Sequence, residues 1–109
     1  MPQPTHISSC VDSVQERLFE SIENQNINEV QSILRSEYNQ IDLNRYNSEG
    51  FTSIQAAVMA GSLDLVKMLV QYGGDPSLHT RDGFSTLHLS AFIGNSEILQ
   101  YIMIVSKRP

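Results

Sequence analysis

Gly83-Phe84-Ser85-Thr86-Leu87-His88-Leu89-Ser90-Ala91-Phe92-Ile93-Gly94-Asn95 organises this chain, and the sequence contains it twice. Thirty-three residues earlier stands Gly50-Phe51-Thr52-Ser53-Ile54-Gln55-Ala56-Ala57-Val58-Met59-Ala60-Gly61-Ser62. The echo runs on past these stretches, with Leu65-Val66 over Ile98-Leu99 and Leu69 over Ile102. Each residue type in the unit has a physical role. Gly50 and Gly83 stand where a turn feeds a helix, a place that favours positive φ. Thr52 and Ser85 follow as N-caps, their hydroxyls accepting from an orphan backbone N–H of the first turn. Ala56-Ala57 and Ser90-Ala91 keep the first helix slim enough for close packing. Gly61 and Gly94 end that helix, because the residue after the last turn commonly adopts left-handed geometry. A second helix with larger apolar residues then begins, and Gly73-Gly74-Asp75-Pro76 stops it, since proline cannot continue a helix.

A period of about 33 residues, carrying Gly-x-Thr-x-Leu-His and a later Gly-x-x-x-x-Val, is the ankyrin signature. The chain therefore resembles the ankyrin-repeat family. The expected fold is all-α: a solenoid of three helix-turn-helix repeats with projecting finger loops. We divide the chain into a flexible segment, residues 1–11, and a repeat domain, residues 12–109. Within the domain the repeats fall at about 13–46, 47–79 and 80–107, with fingers over 42–50 and 73–83.

Composition narrows the functional classes. The chain has 109 residues, enough for one domain, and its formal net charge of −5 argues against an electrostatic grip on nucleic acid. The single cysteine, Cys10, excludes an internal disulfide framework and suits a reducing, intracellular compartment, nucleus or cytoplasm. No apolar run approaches the roughly 20 residues that a membrane span needs. The N-terminus lacks the basic-then-apolar layout of a secretory signal. Pro2, Pro4 and the polar residues around them bury little, so the first residues should fray. His6 and Cys10 invite a metal reading, but a structural zinc site normally takes four ligands at tight spacing, and His79 and His88 fall in distant repeats. No metal or cofactor is expected. Lys107-Arg108 suits the dipole at a helix C-terminus and is too short for a nuclear-import signal.

The first repeat is disguised. Ser13-Val14-Gln15-Glu16 has the capping-box form, so a helix should begin near Ser13. Val11, Val14, Leu18 and Ile22 form its apolar stripe. Asp12, Glu16, Glu20 and Glu23 lie opposite, as a solvated face or as an acidic ridge toward a basic partner. A second helix should span 28–35, with Val30, Ile33 and Leu34 inward. Leu18, Val30 and Ile33 map onto Ile54, Val66 and Leu69 at an offset of 36, so three extra residues lie in the loop over 36–44. Gln25 replaces the inter-helix glycine. An atypical terminal repeat is expected, because it covers the end of a stack.

Two features point to binding. In ankyrin repeats the residue after the first glycine and the last two of the first helix generally face the concave side. Here those are Phe51, Met59 and Ala60, then Phe84, Phe92 and Ile93. Neighbouring aromatic anchors are typical of interface hot spots, whereas the alternative is that some tuck between repeats as core. Arg45, Tyr46, His79 and Arg81 of the fingers, with Glu16 and Glu20 of the ridge, complete the candidate partner-binding set. The last helix, over 97–105, carries Ile98, Leu99, Ile102, Met103, Ile104 and Val105 with no polar repeat after it. Either this end frays or it meets something. Catalysis finds no support: the repeat register brings no nucleophile and base together, and the glycines occupy turn positions rather than a phosphate-binding loop.

A narrower resemblance covers nearly the whole chain. Ser9-Cys10, Val30-Gln31-Ser32-Ile33-Leu34, Leu63-Asp64-Leu65-Val66-Lys67-Met68-Leu69-Val70 and Arg81-Asp82-Gly83-Phe84-Ser85-Thr86-Leu87-His88 are similar to the Notch-regulated ankyrin repeat proteins, as is the longer first repeat. Gln25, Gln55 and Gly74-Asp75-Pro76 depart from that pattern. The resemblance implies a non-enzymatic protein that binds the ankyrin domain of the Notch intracellular fragment together with the CSL DNA-binding factor. It extends the partner's repeat stack and damps Notch-dependent transcription. The alternative is an ankyrin adaptor or inhibitor for another protein, such as a kinase or phosphatase. Spiral continuity leads us to expect the first repeat to sit on the last repeat of Notch.

Overall fold

The computed structural model describes residues 9–106, with side chains from Ser13 onward. Six α-helices follow one another in pairs: α1 (Ser9–Glu23) with α2 (Ile27–Ser36), α3 (Ser53–Ala60) with α4 (Leu63–Gln71), and α5 (Thr86–Ile93) with α6 (Ser96–Ser106). Helices α1, α3 and α5 pack side by side as an inner row, and α2, α4 and α6 as an outer row. The chain is all-α, an ankyrin stack of three repeats, as the 33-residue period predicts.

Local signals set the helix ends. Thr52 and Ser85 each accept from the backbone N–H three residues on, while Gln55 and His88 accept from the cap N–H in return. Asn26, Ser62 and Asn95 cap the outer helices through side-chain oxygens. Gly61 and Gly94 close the inner helices in left-handed geometry, at φ +77° and +80°. At the corresponding place in the first repeat Gln25 adopts φ +56°, and it is the one non-glycine residue with positive φ among those described. Its side-chain amide donates to Ala60 O at 2.9 Å, tying the first inter-helix turn to the end of α3. A side chain in this region is strained, and the added bond offsets part of that cost.

The core runs the length of the stack. Leu18, Ile22, Val30, Ile33 and Leu34 fill the first repeat, Ile54, Val58, Leu65, Val66 and Leu69 the second, and Ile98 and Ile102 the third. Full burial of one such side chain is worth about 1.5–3 kcal/mol. Helix α3, flanked on both sides, is buried from Ser53 to Val58. Ala56 and Ala57 there are small enough for α1 and α5 to approach.

One expectation needs correction. Helix α1 starts at Ser9, so Ser13 lies inside it and is not a cap. Residues 1–8 and 107–109, and the side chains of Cys10, Val11 and Asp12, fall outside the described residues, and with them the His6–Cys10 pair and the Lys107-Arg108 signal. The three-residue insertion is a 3₁₀ turn, Tyr38–Gln40, within the expected loop. Tyr38 Oη donates to Tyr72 O at 3.0 Å and their rings lie 6.1 Å apart, which pins the turn beneath the end of α4.

The fingers are short hairpin turns without regular strands; one isolated bridge pairs His79 with Ser85. Asn47 N–H donates to Phe51 O at 2.8 Å and Thr80 N–H to Phe84 O at 2.7 Å. Neighbouring fingers are tied in register. Arg81 N–H donates to Gly50 O at 2.9 Å, Tyr46 Oη to His79 O at 2.8 Å, and the Arg81 guanidinium to Ser48 O at 3.1 Å. Gly50 permits this approach, since a Cβ there would stand 3.0 Å from Arg81 Cβ.

Gly74 is the tightest point of the second repeat: an added Cβ would meet Ile54 Cδ1 at 2.8 Å and Leu69 O at 3.0 Å. We expect Gly74→Ala to destabilise the fold by about 1–3 kcal/mol through overpacking. Urea unfolding followed by circular dichroism measures it, and an unchanged midpoint would show that the α4 terminus yields freely.

Candidate protein-binding surface

The repeat unit builds three distinct surfaces: a concave groove, a row of fingers and two stack ends. On the groove side, Phe51, Met59 and Ala60 are half-buried, with Phe51 and Met59 packed against the core. Their counterparts differ. Phe84 is 55% and Phe92 79% exposed, while Ile93 is half-buried. Phe84 meets the edge of the His88 ring, with centroids 6.5 Å apart. Of the aromatic candidates, Phe84 and Phe92 stand free of the core.

Glu16, Glu20 and Glu23 line a cleft of about 500 Å³ between α1 and the first finger, closed on the other side by Arg45, Tyr46, Asn47 and Ser48. A second hollow, shared through Glu23 and Asn47, continues past Glu49, Phe51 and Met59. The groove is thus acidic at its first-repeat end and apolar toward the third. Tyr46, His79 and Arg81 share one structural role, because the Tyr46 hydroxyl and the Arg81 guanidinium hold neighbouring fingers together, with His79 O as an acceptor. The His79 side chain and Arg45 are exposed.

The two ends of the stack are chemically unlike. In the third repeat Thr86, Leu89 and Ile98 are buried although their repeat is the last described, so these positions face the second repeat. The same positions in the first repeat are Arg17, Glu20 and Glu29. Arg17 lies 3.6 Å from Glu29 and 3.2 Å from Glu37, and its hydrogen bond to Glu37, with both negative charges, raises the guanidinium pKa further. Such exposed pairs contribute little stability, and their effect is to keep this end wet.

Among the described residues nothing covers the opposite end. Ile54 and Val58 of α3 are 1% and 0% exposed because α5 covers them, while their counterparts Leu87 and Ala91 are exposed. Val66 is fully buried and its counterpart Leu99 only half-buried; Val70 is half-buried and Met103 44% exposed. Leu87, Ala91, Leu99 and Met103 thus make the end of α5 and α6 apolar, and Phe92 and Ile104, 79% and 66% exposed, add apolar surface on the same two helices. The sequence reading found the α6 part, from its surplus of large residues. It missed Leu87 and Ala91, which the 33-residue register could have found, since a position covered by the next repeat is uncovered in the last one.

A family model described as ankyrin repeats, three copies, matches residues 18–108. A Notch-regulated ankyrin repeat-containing protein of Homo sapiens is 37% identical over 103 residues, covering 93% of this chain and 90% of the human protein. This chain belongs to the family of Notch-regulated ankyrin repeat-containing proteins. Protein A of that family from Danio rerio gives the same identity, 37%, over 93% of this chain and 90% of its own length. By contrast, the inactive serine/threonine-protein kinase TEX14 of Bos taurus, 34% identical, is matched over only 7% of its length, so that likeness is to one short segment of a larger protein. Membership of the family thus extends over nearly the full length of its members. Among the described residues no helix is long and apolar enough to cross a membrane, and no three His, Cys, Asp or Glu side chains are grouped to hold a metal ion.

Exposure separates the aromatic pairs. Phe92→Ala should leave stability within about 0.5 kcal/mol of the native chain, as is usual for surface changes, whereas Phe51→Ala should cost about 1–3 kcal/mol through lost packing. Thermal unfolding of the two variants checks this, and equal losses would place Phe92 in the core.

Proposed function

We propose that this protein is a non-enzymatic regulator that binds the ankyrin domain of the Notch intracellular fragment, in its complex with CSL, and attenuates Notch signalling. The observation that carries the reading is the exposed apolar end of the third repeat. Leu87, Ala91, Leu99 and Met103 occupy the positions that repeat two uses to hold repeat three, so an ankyrin repeat is the shape that fits them. The names of the relatives, Notch-regulated ankyrin repeat-containing proteins, supply the connection to Notch. Such a protein works in the nucleus, where CSL binds DNA, after synthesis in the cytoplasm.

The end that docks is the third repeat. First-repeat docking, expected from spiral continuity, would desolvate Arg17, Glu20 and Glu29 against a neighbour. That penalty reaches several kcal/mol per buried ion unless the partner supplies matching charges. The third-repeat face buries Leu87, Leu99 and Met103 at a gain of about 25 cal/mol per Å² of apolar surface. Hydrogen exchange of the chain, free and bound to the Notch ankyrin domain with and without CSL, tests this. Protection should rise over 86–93 and 96–106; protection confined to α1 and α2 would reverse the direction of the stack.

The acidic groove favours a second reading, in which a basic segment of a different protein, such as a kinase or phosphatase, lies along Glu16, Glu20 and Glu23. Replacing Glu16 and Glu20 with Gln should then slow association at low salt and leave the free fold no less stable, because like charges at i,i+4 repel. An association rate independent of salt in both proteins leaves these residues as a solvated face.

A further inference from the structure

Two hollows of the concave groove, about 500 and 320 Å³, meet at Glu23 and Asn47 and run from the middle of α1 to the end of α3. Phe19 and Ala56 are buried and Phe51 and Met59 half-buried, so apolar side chains make the floor. Glu16, Glu20, Glu23 and Glu49 are exposed and make the rim. The groove shares no residue with the apolar end of the third repeat, formed by Leu87, Ala91, Leu99 and Met103. Both surfaces can therefore be occupied at once.

The rim charges stand together against their own repulsion. Glu16 and Glu20 are at i,i+4 on α1 and Glu20 and Glu23 at i,i+3, spacings at which like charges destabilise a helix. Among the described residues none of the four rim carboxylates has an ion pair, whereas Glu29 and Glu37 are held by Arg17. Against the four, the lining carries one cation, Arg45. A cleft lined by one sign of charge over low-dielectric walls focuses the field and draws counter-charge. The apolar floor alone would accept any hydrophobic segment; the rim selects one that bears lysine or arginine.

The size of the hollows sets the form of that segment. One helical turn, 5.4 Å in pitch and 10–12 Å across, fills roughly 420–610 Å³, more than the second hollow holds. An extended chain is thinner, and its side chains alternate between opposite faces. Apolar side chains at every second position reach the floor. Basic side chains between them lay their aliphatic stems along the apolar surface and bring their charged heads to the rim. Resting on the basic-segment reading given above, we infer that this groove takes an extended segment of a second protein in which arginine or lysine alternates with large apolar residues. Burial on the floor holds the segment, and the carboxylates choose it and speed its arrival.

A short peptide of alternating arginine and leucine is the probe, with an arginine–serine alternation and a helical peptide of the probe's own composition as controls. Each is titrated into the full chain and followed by fluorescence anisotropy and nitrogen-15 spectra. The probe should bind at least about tenfold more tightly than either control, with amide shifts over residues 16–23, 47–51 and 59–60. Glu20→Lys together with Glu23→Lys should weaken it at least about tenfold at low salt without lowering the melting temperature. Met103→Asp, at the apolar end of the third repeat, should leave its affinity unchanged. If the arginine–serine peptide binds as tightly as the probe, the basic-segment reading stands and the apolar alternation is wrong. If the helical peptide does so, the extended form is wrong. Shifts gathered over 86–93 and 96–106, or loss of binding in Met103→Asp, would place the probe on the stack end and overturn the groove as its site. If no peptide binds, the groove inference and the basic-segment reading fall together, and stacking is untouched.

Discussion

Gln55 joins three segments of the chain through one buried amide. It receives the cap N–H of its own helix, holds Leu78 O of the next finger and reaches Thr86 Oγ1 at 3.4 Å. A polar group withdrawn so far from water costs free energy unless every atom is paired, so its partners must stay where they are. That requirement fixes the spacing between the helix layer and the finger layer. It also sets the lateral register in which α5 packs on α3. The apolar core supplies most of the stabilisation but has little directional preference; the amide supplies the alignment.

Much of this was legible in the residues. The duplicated stretch from Gly50 and Gly83 located the helices, their caps and their left-handed ends, because capping and positive φ are local demands on particular side chains. The offset of 36 located the insertion that became the 3₁₀ turn. The start of α1 was misjudged for a physical reason: Ser-x-x-Glu also occurs within helices, and nothing between Ser9 and Ser13 breaks one. Gln25 was recognised as standing in a glycine position, but its left-handed backbone and its bond to Ala60 depend on the neighbouring repeat.

The candidate surface was less legible, since exposure belongs to a neighbour as much as to the residue. Ile54 and Leu87 are similar side chains at equivalent positions, and only the presence of α5 over the first makes one core and the other surface. Tyr46 and Arg81 look like recognition residues on a projecting loop, yet both are engaged across the gap between fingers. Phe84 and Phe92 were singled out for their concave position and do stand exposed, beside an end face whose full extent the pattern of one repeat alone does not reveal.

The ion-paired side chains around Arg17 have a consequence for growth. A solenoid with two complementary apolar ends would add copies of itself head to tail, and a heterologous contact that does not close leads to filaments. Here the growing tip would have to accept Arg17, Glu20 and Glu29 in place of Thr86, Leu89 and Ile98, a mismatch that stops propagation after one addition. One apolar end and one ion-paired end thus leave copies of the molecule ill-matched for head-to-tail growth.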